Sequence, residues 1–318
     1  MIYYILIIAV LSFVIWNMTL LGYRDEDQQV SEPNVDDVFD QRCKPIVLVH
    51  ETPNDKAVLM IHGFPSTPYA YEFAARQAFD AGYDVFVPLI PGFGTHPKDL
   101  EHTTFSQWYH YIEQEYENIR FRYRFVAVIG TSMGGSIALK LGETFNSPAT
   151  SIDALTTIAA PVFLNSLKDL TVKDWKLYFA RTVALFTPSI GTDVFKGKDE
   201  ENDGDELWIG YRGQFVRAGL SFLYALKDIR KNLPAITCPL FAIHDKHDAT
   251  VPYKNLKVIA DNVQAMPFHS KTVEMTSKHN RHVLLMYPSV RKNLTDEILQ
   301  FFESIRTENW KKGVTSNE

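Results

Sequence analysis

Cysteine is almost missing from this chain: Cys43 and Cys238 are the only two among 318 residues. A domain of this length holds its core without disulfides, so two thiols do not point to a compartment. Both stand beside apolar runs and read as small buried hydrophobes, and neither has the setting of a cysteine nucleophile. A basic stripe is missing too. With a net charge of -6 and no clustered Lys or Arg, the chain offers no footing for nucleic acid. No internal repeat occurs, and low complexity is confined to one acidic run at residues 198–206. The remaining composition, 46% hydrophobic and 22% charged, is that of a globular protein with room for one large or two small domains.

Charge is wholly lacking from Ile2 to Tyr23, a run dense in Ile, Leu, Val and Tyr. About 20 such residues cross the hydrocarbon core as a helix. Tyr3 and Tyr4 near one end, and Trp16 and Tyr23 toward the other, suit the two interfaces. A cleaved signal peptide would carry Lys or Arg ahead of the apolar run and a small-x-small site behind it; neither is evident. A buried core helix fits poorly, because Asp and Glu crowd the segment that follows. Residues 1–23 are therefore expected to form a single-pass transmembrane anchor, and 24–43 a polar, acidic tether with little fixed structure. Arg24 is the only nearby basic residue, so the topology signal is slight. An outward, periplasmic-type domain is favoured, since a short tail with no cargo ahead of the span can stay inside.

From residue 44 to about 308, short apolar runs alternate with helix-like segments. Strands are expected at 57–61, 83–88, 125–129, 154–159, 240–244 and 271–275, several of them continuously apolar, as in parallel strands covered on both faces. Helices are expected from Thr67-Pro68 to Gly82, through 104–120, after Ser132, and from 289 to about 306. The alternation implies a mostly parallel sheet flanked by helices. Between about 162 and 233 the rhythm breaks: no core strand stands out, but amphipathic pieces occur at 175–185 and 214–229. That insertion reads as a helical cap over the end of the sheet where functional loops gather. Residues 309–318 are left as a tail.

Gly130-Thr131-Ser132-Met133-Gly134 follows the strand-like FVAVI and precedes the helix-like GSIALKLG. A G-x-S-x-G here marks a nucleophile elbow, a turn so sharp that side chains two residues either side of the serine would collide. Serine needs a general base oriented by a third group. In an elbow on such a sheet, the acid and then the histidine follow in chain order. The segment after 154–159 offers no carboxylate, whereas the one after 240–244 holds Asp245 and Asp248. Asp248, on the loop leaving the strand ahead of Val251-Pro252, is the favoured acid; Asp245 is the alternative. Beyond 271–275 lie His279 and His282, with His282 favoured because it directly precedes the apolar Val283-Leu284.

An oxyanion hole needs two backbone N–H groups aimed where negative charge develops. Met133 supplies one, and Phe64 in His62-Gly63-Phe64-Pro65 is expected to supply the other, with Gly63 allowing close approach. His62 then reads as a structural loop residue. His244, His247 and Asp248 together could suggest a metal, but no further ligands converge and Asp248 already has a role, so neither metal nor cofactor is expected.

With these residues in place, the chain resembles the carboxylesterase and monoacylglycerol-lipase branch of the α/β-hydrolases. The resemblance runs from Ala57 to Glu303 and is carried by LMIHGFPSTP, AGYDVFVPLIPGFGTHPKDLEHTTFSQW, VIGTSMGGSIAL, LPAITCPLFAIHDKHDATVP and the His282 loop. It implies an α/β-hydrolase fold and cofactor-free ester hydrolysis through an acyl-serine, with a short cap lining the acyl pocket. Asp245 stands where many relatives have glycine, the cap is poorly matched, and the anchor is not a family feature. The expected substrate is a small-molecule or lipid ester, such as a monoacylglycerol or lysophospholipid. The same triad would serve a thioesterase, a prolyl-aminopeptidase-like peptidase or an acyltransferase. A catalytically silent, membrane-tethered binding protein is the non-enzyme alternative.

Overall fold

Seven strands form one sheet, and the reason lies in their apolar runs. The computed structural model describes residues 2–20, 22–25, 32–148, 150–198, 203–204, 208–276 and 280–315, with side chains through 307. The sheet comprises β1 (Ile46–Leu48), β2 (Lys56–Ile61), β3 (Asp84–Val87), β4 (Phe125–Thr131) and β5 (Ala154–Ile158), completed by β10 (Leu240–Asp245) and β11 (Phe268–Val273). Its order is β1-β3-β2-β4-β5-β10-β11, and all pairs are parallel except β1 against β3.

Alternate residues of β2 feed two cores. Ala57, Leu59 and Ile61 join the apolar cluster of α4 (Phe105–Arg122), α5 (Met133–Thr144) and α8 (Lys254–Asn262). Val58 and Met60 join that of α2 (Glu72–Asp80) and α9 (Arg291–Thr315) on the other face. Both faces being covered, the central strands are apolar throughout. The chain leaves β2 toward β3 on one side and returns as β4 on the other. The loops after β2 and β4 therefore diverge at the carboxyl ends of the strands, where a crevice opens.

Helix boundaries have local causes. Thr104 and Gln107 form a reciprocal capping box that starts α4, and His96 with Asp99 does the same for the short α3 (Pro97–Glu101). The expected helix from Thr67 begins as a 3-10 turn, Pro68–Tyr71, before α2 takes over. The final helix starts at Arg291 and runs to Thr315, beyond the expected end near 306.

The cap between β5 and β10 is not purely helical, which corrects the expectation. It carries the hairpins β6 (Asn165–Ser166)–β7 (Thr171–Val172) and β8 (Ser189–Phe195)–β9 (Gly210–Phe215), a 3-10 turn (Trp175–Phe179), α6 (Ala180–Val183) and α7 (Val216–Asn232). Most of the acidic run, 199–202 and 205–206, lies outside the described residues. Buried Asn255 holds the entry to the cap, its Oδ1 accepting the N–H groups of Val162 (2.8 Å) and Phe163 (3.0 Å). Tyr211 N–H donates to Pro65 O (2.9 Å), tying β9 to the loop after β2.

The tether expectation needs a second correction. Among its described residues, Val38 and Phe39 pack on the core, Phe39 N–H donates to Gly94 O (3.0 Å), and Cys43 is fully buried. These residues belong to the domain; 26–31 lie outside the described residues. At the start of the chain, α1 (Ile2–Thr19) is long and apolar enough to cross a membrane, and it ends four residues short of Tyr23.

Glu143, in the last turn of α5, carries a half-buried carboxyl. Burial, with Asp228 close by, pushes its carboxyl up to about 8 against the opposing effect of Lys140. Between its ordinary value of 4.5 and about 8, the folded chain keeps a proton that the unfolded chain releases. Its contribution to stability therefore falls as pH rises through that window. Glu143→Gln is expected to be more stable than the parent by about 1–3 kcal/mol at pH 8, read as a higher Tm, with the gap closing toward pH 5.

Candidate active site

Ser132 sits between β4 and α5 with φ 56° and ψ -123°, a left-handed conformation that a non-glycine residue adopts only under constraint. Several contacts supply that constraint. Ser132 N–H donates to Ile158 O (2.8 Å), and the Tyr71 hydroxyl meets Thr131 Oγ1 (2.8 Å) and donates to Ile61 O (3.0 Å). A Cβ on Gly130 would run into the carbonyl of Gly134, and one on Gly134 into the carbonyl of Ile61. Both positions must be bare for strand, turn and helix to close. Gly134→Ala is expected to cost about 3 kcal/mol or more, because backbone rather than a flexible side chain stands in the way. A thermal melt within 2 °C of the parent, with full activity, would show that the turn yields.

The loop after β2 passes directly beside the serine, for a Cβ on Gly63 would lie 3.0 Å from Ser132 Cβ and 3.1 Å from Thr131 O. His62, fully buried, accepts Ile90 N–H at Nε2 (3.2 Å) and faces Gly63 O through Nδ1 (3.1 Å). Burial lowers its pKa to about 4, so it is a neutral brace between the ends of β2 and β3. Phe64 follows, its ring packed among Phe93, Trp108 and Phe215. Met133 is the first residue of α5, where backbone N–H groups have no partner within the helix.

On the far side of β5, the loop leaving β10 brings Asp248 to His282. The Nδ1 of His282 lies 2.7 Å from Asp248 Oδ2, and both residues are buried. Oδ1 of the same carboxylate accepts the N–H groups of Thr250 (2.7 Å) and Val251 (2.9 Å), which fixes its direction. Burial works to raise the Asp248 pKa, but the imidazoles of His282 and His244 outweigh it and hold the carboxyl well below its usual range. Asp245 is occupied elsewhere, accepting the N–H groups of His247 (2.8 Å) and Met275 (2.9 Å). His279 lies outside the described residues. The His282 loop is stitched to the Asp248 loop where Ala249 N–H donates to Asn280 O (2.9 Å).

One member escaped sequence reasoning. His244 Nε2 stands 3.2 Å from Asp248 Oδ2, so this oxygen serves two imidazoles. The four-residue spacing across the strand exit was the available signal, and it was weighed only as a metal cluster. Among the described residues no group of three or more His, Cys, Asp or Glu could hold a metal ion.

Ser132 and Phe64 open onto a cavity of about 540 Å³ roofed by the cap, with Leu164, Leu177, Val183 and Leu223 among its walls. Thr250 and Val251 reach the same cavity from the Asp248 loop. An elbow serine, a buried Asp–His pair and an apolar chamber on a mostly parallel sheet define a serine hydrolase of the α/β-hydrolase fold.

Comparison with known proteins narrows this class. Residues 52–286 match the family model described as serine aminopeptidase, S33, and the chain belongs to that family. A carboxylesterase of Bacillus subtilis (strain 168) is 25% identical over 256 residues, covering 79% of this chain and 94% of the relative. A thermostable monoacylglycerol lipase of Bacillus sp. (strain H-257) is 27% identical over 208 residues, covering 65% and 76%. Among solved structures, one from a study of two metagenome-derived lipolytic enzymes, LipS and LipT, superposes with a TM-score of 0.66. It is 20% identical, over 86% of this chain and all of that one, which establishes the shared fold.

Proposed function

We propose that the protein hydrolyses carboxylic esters of lipid origin, of the monoacylglycerol or lysophospholipid type, through an acyl-serine intermediate. Ser132 Oγ attacks the carbonyl carbon while His282 takes its proton through Nε2, the nitrogen not engaged by Asp248. The N–H groups of Phe64 and Met133 receive the oxyanion. His282 then returns the proton to the departing alcohol, and water repeats the attack on the acyl-serine to release the acid. The apolar chamber beside Ser132 is the observation that carries this reading, since it suits an acyl chain. Names borne by the two curated relatives, a carboxylesterase and a monoacylglycerol lipase, agree with it.

The family description also names a peptidase. An amino-terminal substrate brings an ammonium group that needs an acidic partner in the site. Among the described lining residues Asp174 is the one acid, and its carboxylate caps the following turn by accepting Lys176 N–H (3.0 Å). That favours the ester. We further propose that α1 is a single-pass membrane anchor with the hydrolase domain on the outward side.

The test is a panel of esters graded by acyl length, beside thioesters and amino-acid amides. Each methylene buried in the chamber contributes about 0.8 kcal/mol. kcat/KM is thus expected to rise roughly fourfold per added methylene until the chamber fills. A flat acyl profile, or faster cleavage of amides, would sink the reading.

A further inference from the structure

The apolar helix is not hung loosely from the domain; its last turn is fastened to the cap. Residues 2–15 of α1 are exposed, whereas Asn17 is buried, its Oδ1 accepting Thr182 Oγ1 (2.8 Å) and N–H (3.3 Å). The Arg181 guanidinium lies over the Trp16 ring (4.2 Å) and donates to Trp16 O (3.0 Å). Lys227 Nζ, from α7, donates to Thr19 O. All of these partners belong to the cap.

Length then fixes depth. At 1.5 Å per residue the 18 residues of α1 extend about 27 Å, slightly less than the roughly 30 Å of a hydrocarbon core. With Trp16, Asn17 and Thr19 held directly against the cap, no stalk separates a spanning α1 from it, so the cap there must sit at the headgroups. There the cap is apolar: Leu185 and Phe186, just after α6, are 67% and 83% exposed, and Phe179, just before it, is 43% exposed. Large apolar side chains left exposed within one short stretch mark a contact site. The same α6 also walls the chamber over Ser132, through Ala180 and Val183.

From this we infer that α1 and the cap act as one unit, which sets Phe179, Leu185 and Phe186 into the lipid headgroup layer and turns the chamber toward the bilayer. The partner is a lipid surface, and the ester enters from it. The inference rests on the proposed membrane anchor and adds where the cap must lie.

The full chain, reconstituted into phosphatidylcholine vesicles containing nitroxide-labelled lipid, provides the test. An environment-sensitive fluorophore is attached at Phe186→Cys or Leu185→Cys; Cys43 and Cys238 are buried, their thiols pushed up to about 12, and label poorly. The control is Phe121→Cys, 93% exposed at the end of α4 that leads into the start of β4, opposite the serine. Carbonate extraction is run on the same samples. Retention in the vesicles with at least threefold stronger quenching at 185 and 186 than at 121 supports the inference. Retention with equal quenching at all three sites overturns it and leaves the anchor standing. Loss of the chain to the carbonate wash overturns both.

Discussion

Replacing Ser132 with alanine is expected to lower kcat/KM for a carboxylic ester by roughly 10⁵–10⁶-fold and to abolish labelling by a fluorophosphonate. The size follows from what the hydroxyl does. In the proposed mechanism no acyl-enzyme forms without it, and what remains is the binding and electrostatic help of the oxyanion donors, which in serine hydrolases leaves only about 10³–10⁴ over water. The variant should fold. Its backbone is held at φ 56° by the glycines at 130 and 134 and by the bond from its N–H to Ile158 O, none of which needs the hydroxyl. An unchanged melting temperature with activity gone would locate the loss in chemistry. If the folded parent itself failed to react with a fluorophosphonate, the silent binding protein would replace the enzyme.

How much of this was legible depended on burial. Continuous apolar runs exposed β2, β3, β4, β5 and β10, because a parallel strand between two helical layers must be apolar on both sides. The edges hid. β1 has three residues and one exposed side chain, too little for a pattern. β11 begins at Phe268, three residues before its expected start; His269 and Ser270 are exposed at the sheet edge and so leave no apolar signal there. The cap hairpins were invisible for a related reason: β8 buries nothing fully and runs through a positive-φ Gly191. Nor could sequence reveal that Asn17 is fastened to Thr182, since that contact spans 165 residues and depends on a polar side chain in an apolar helix. Asn17 read as one more residue of an uncharged run. The elbow was plain because its glycines answer to local geometry, while Asp245 and Asp248 both accept backbone amides and differ in where the second oxygen goes, to the Met275 N–H in one and to His282 in the other.

Asp248→Asn is expected to cost roughly 10³–10⁴-fold in kcat with little change in KM. A carboxylate 2.7 Å from Nδ1 of His282 favours the proton on that nitrogen, which in the proposed mechanism leaves Nε2 free to act as base. An asparagine held by the same Thr250 and Val251 amides would turn its NH₂ toward His282 and favour the wrong tautomer. The shared oxygen adds a second consequence. His244→Ala should remove one of the two imidazoles that stabilise the carboxylate but leave the His282 contact, so its effect is expected to stay within about tenfold. In the proposed mechanism Ser132 and His282 act on one proton, so adding His282→Ala to Ser132→Ala should lower activity by less than about threefold, although either alone is severe. Multiplying losses would mean that His282 works outside the Ser132 step. A severe loss from His279→Ala, with His282→Ala near normal, would move the base to the other histidine and leave Asp248 holding a structural partner.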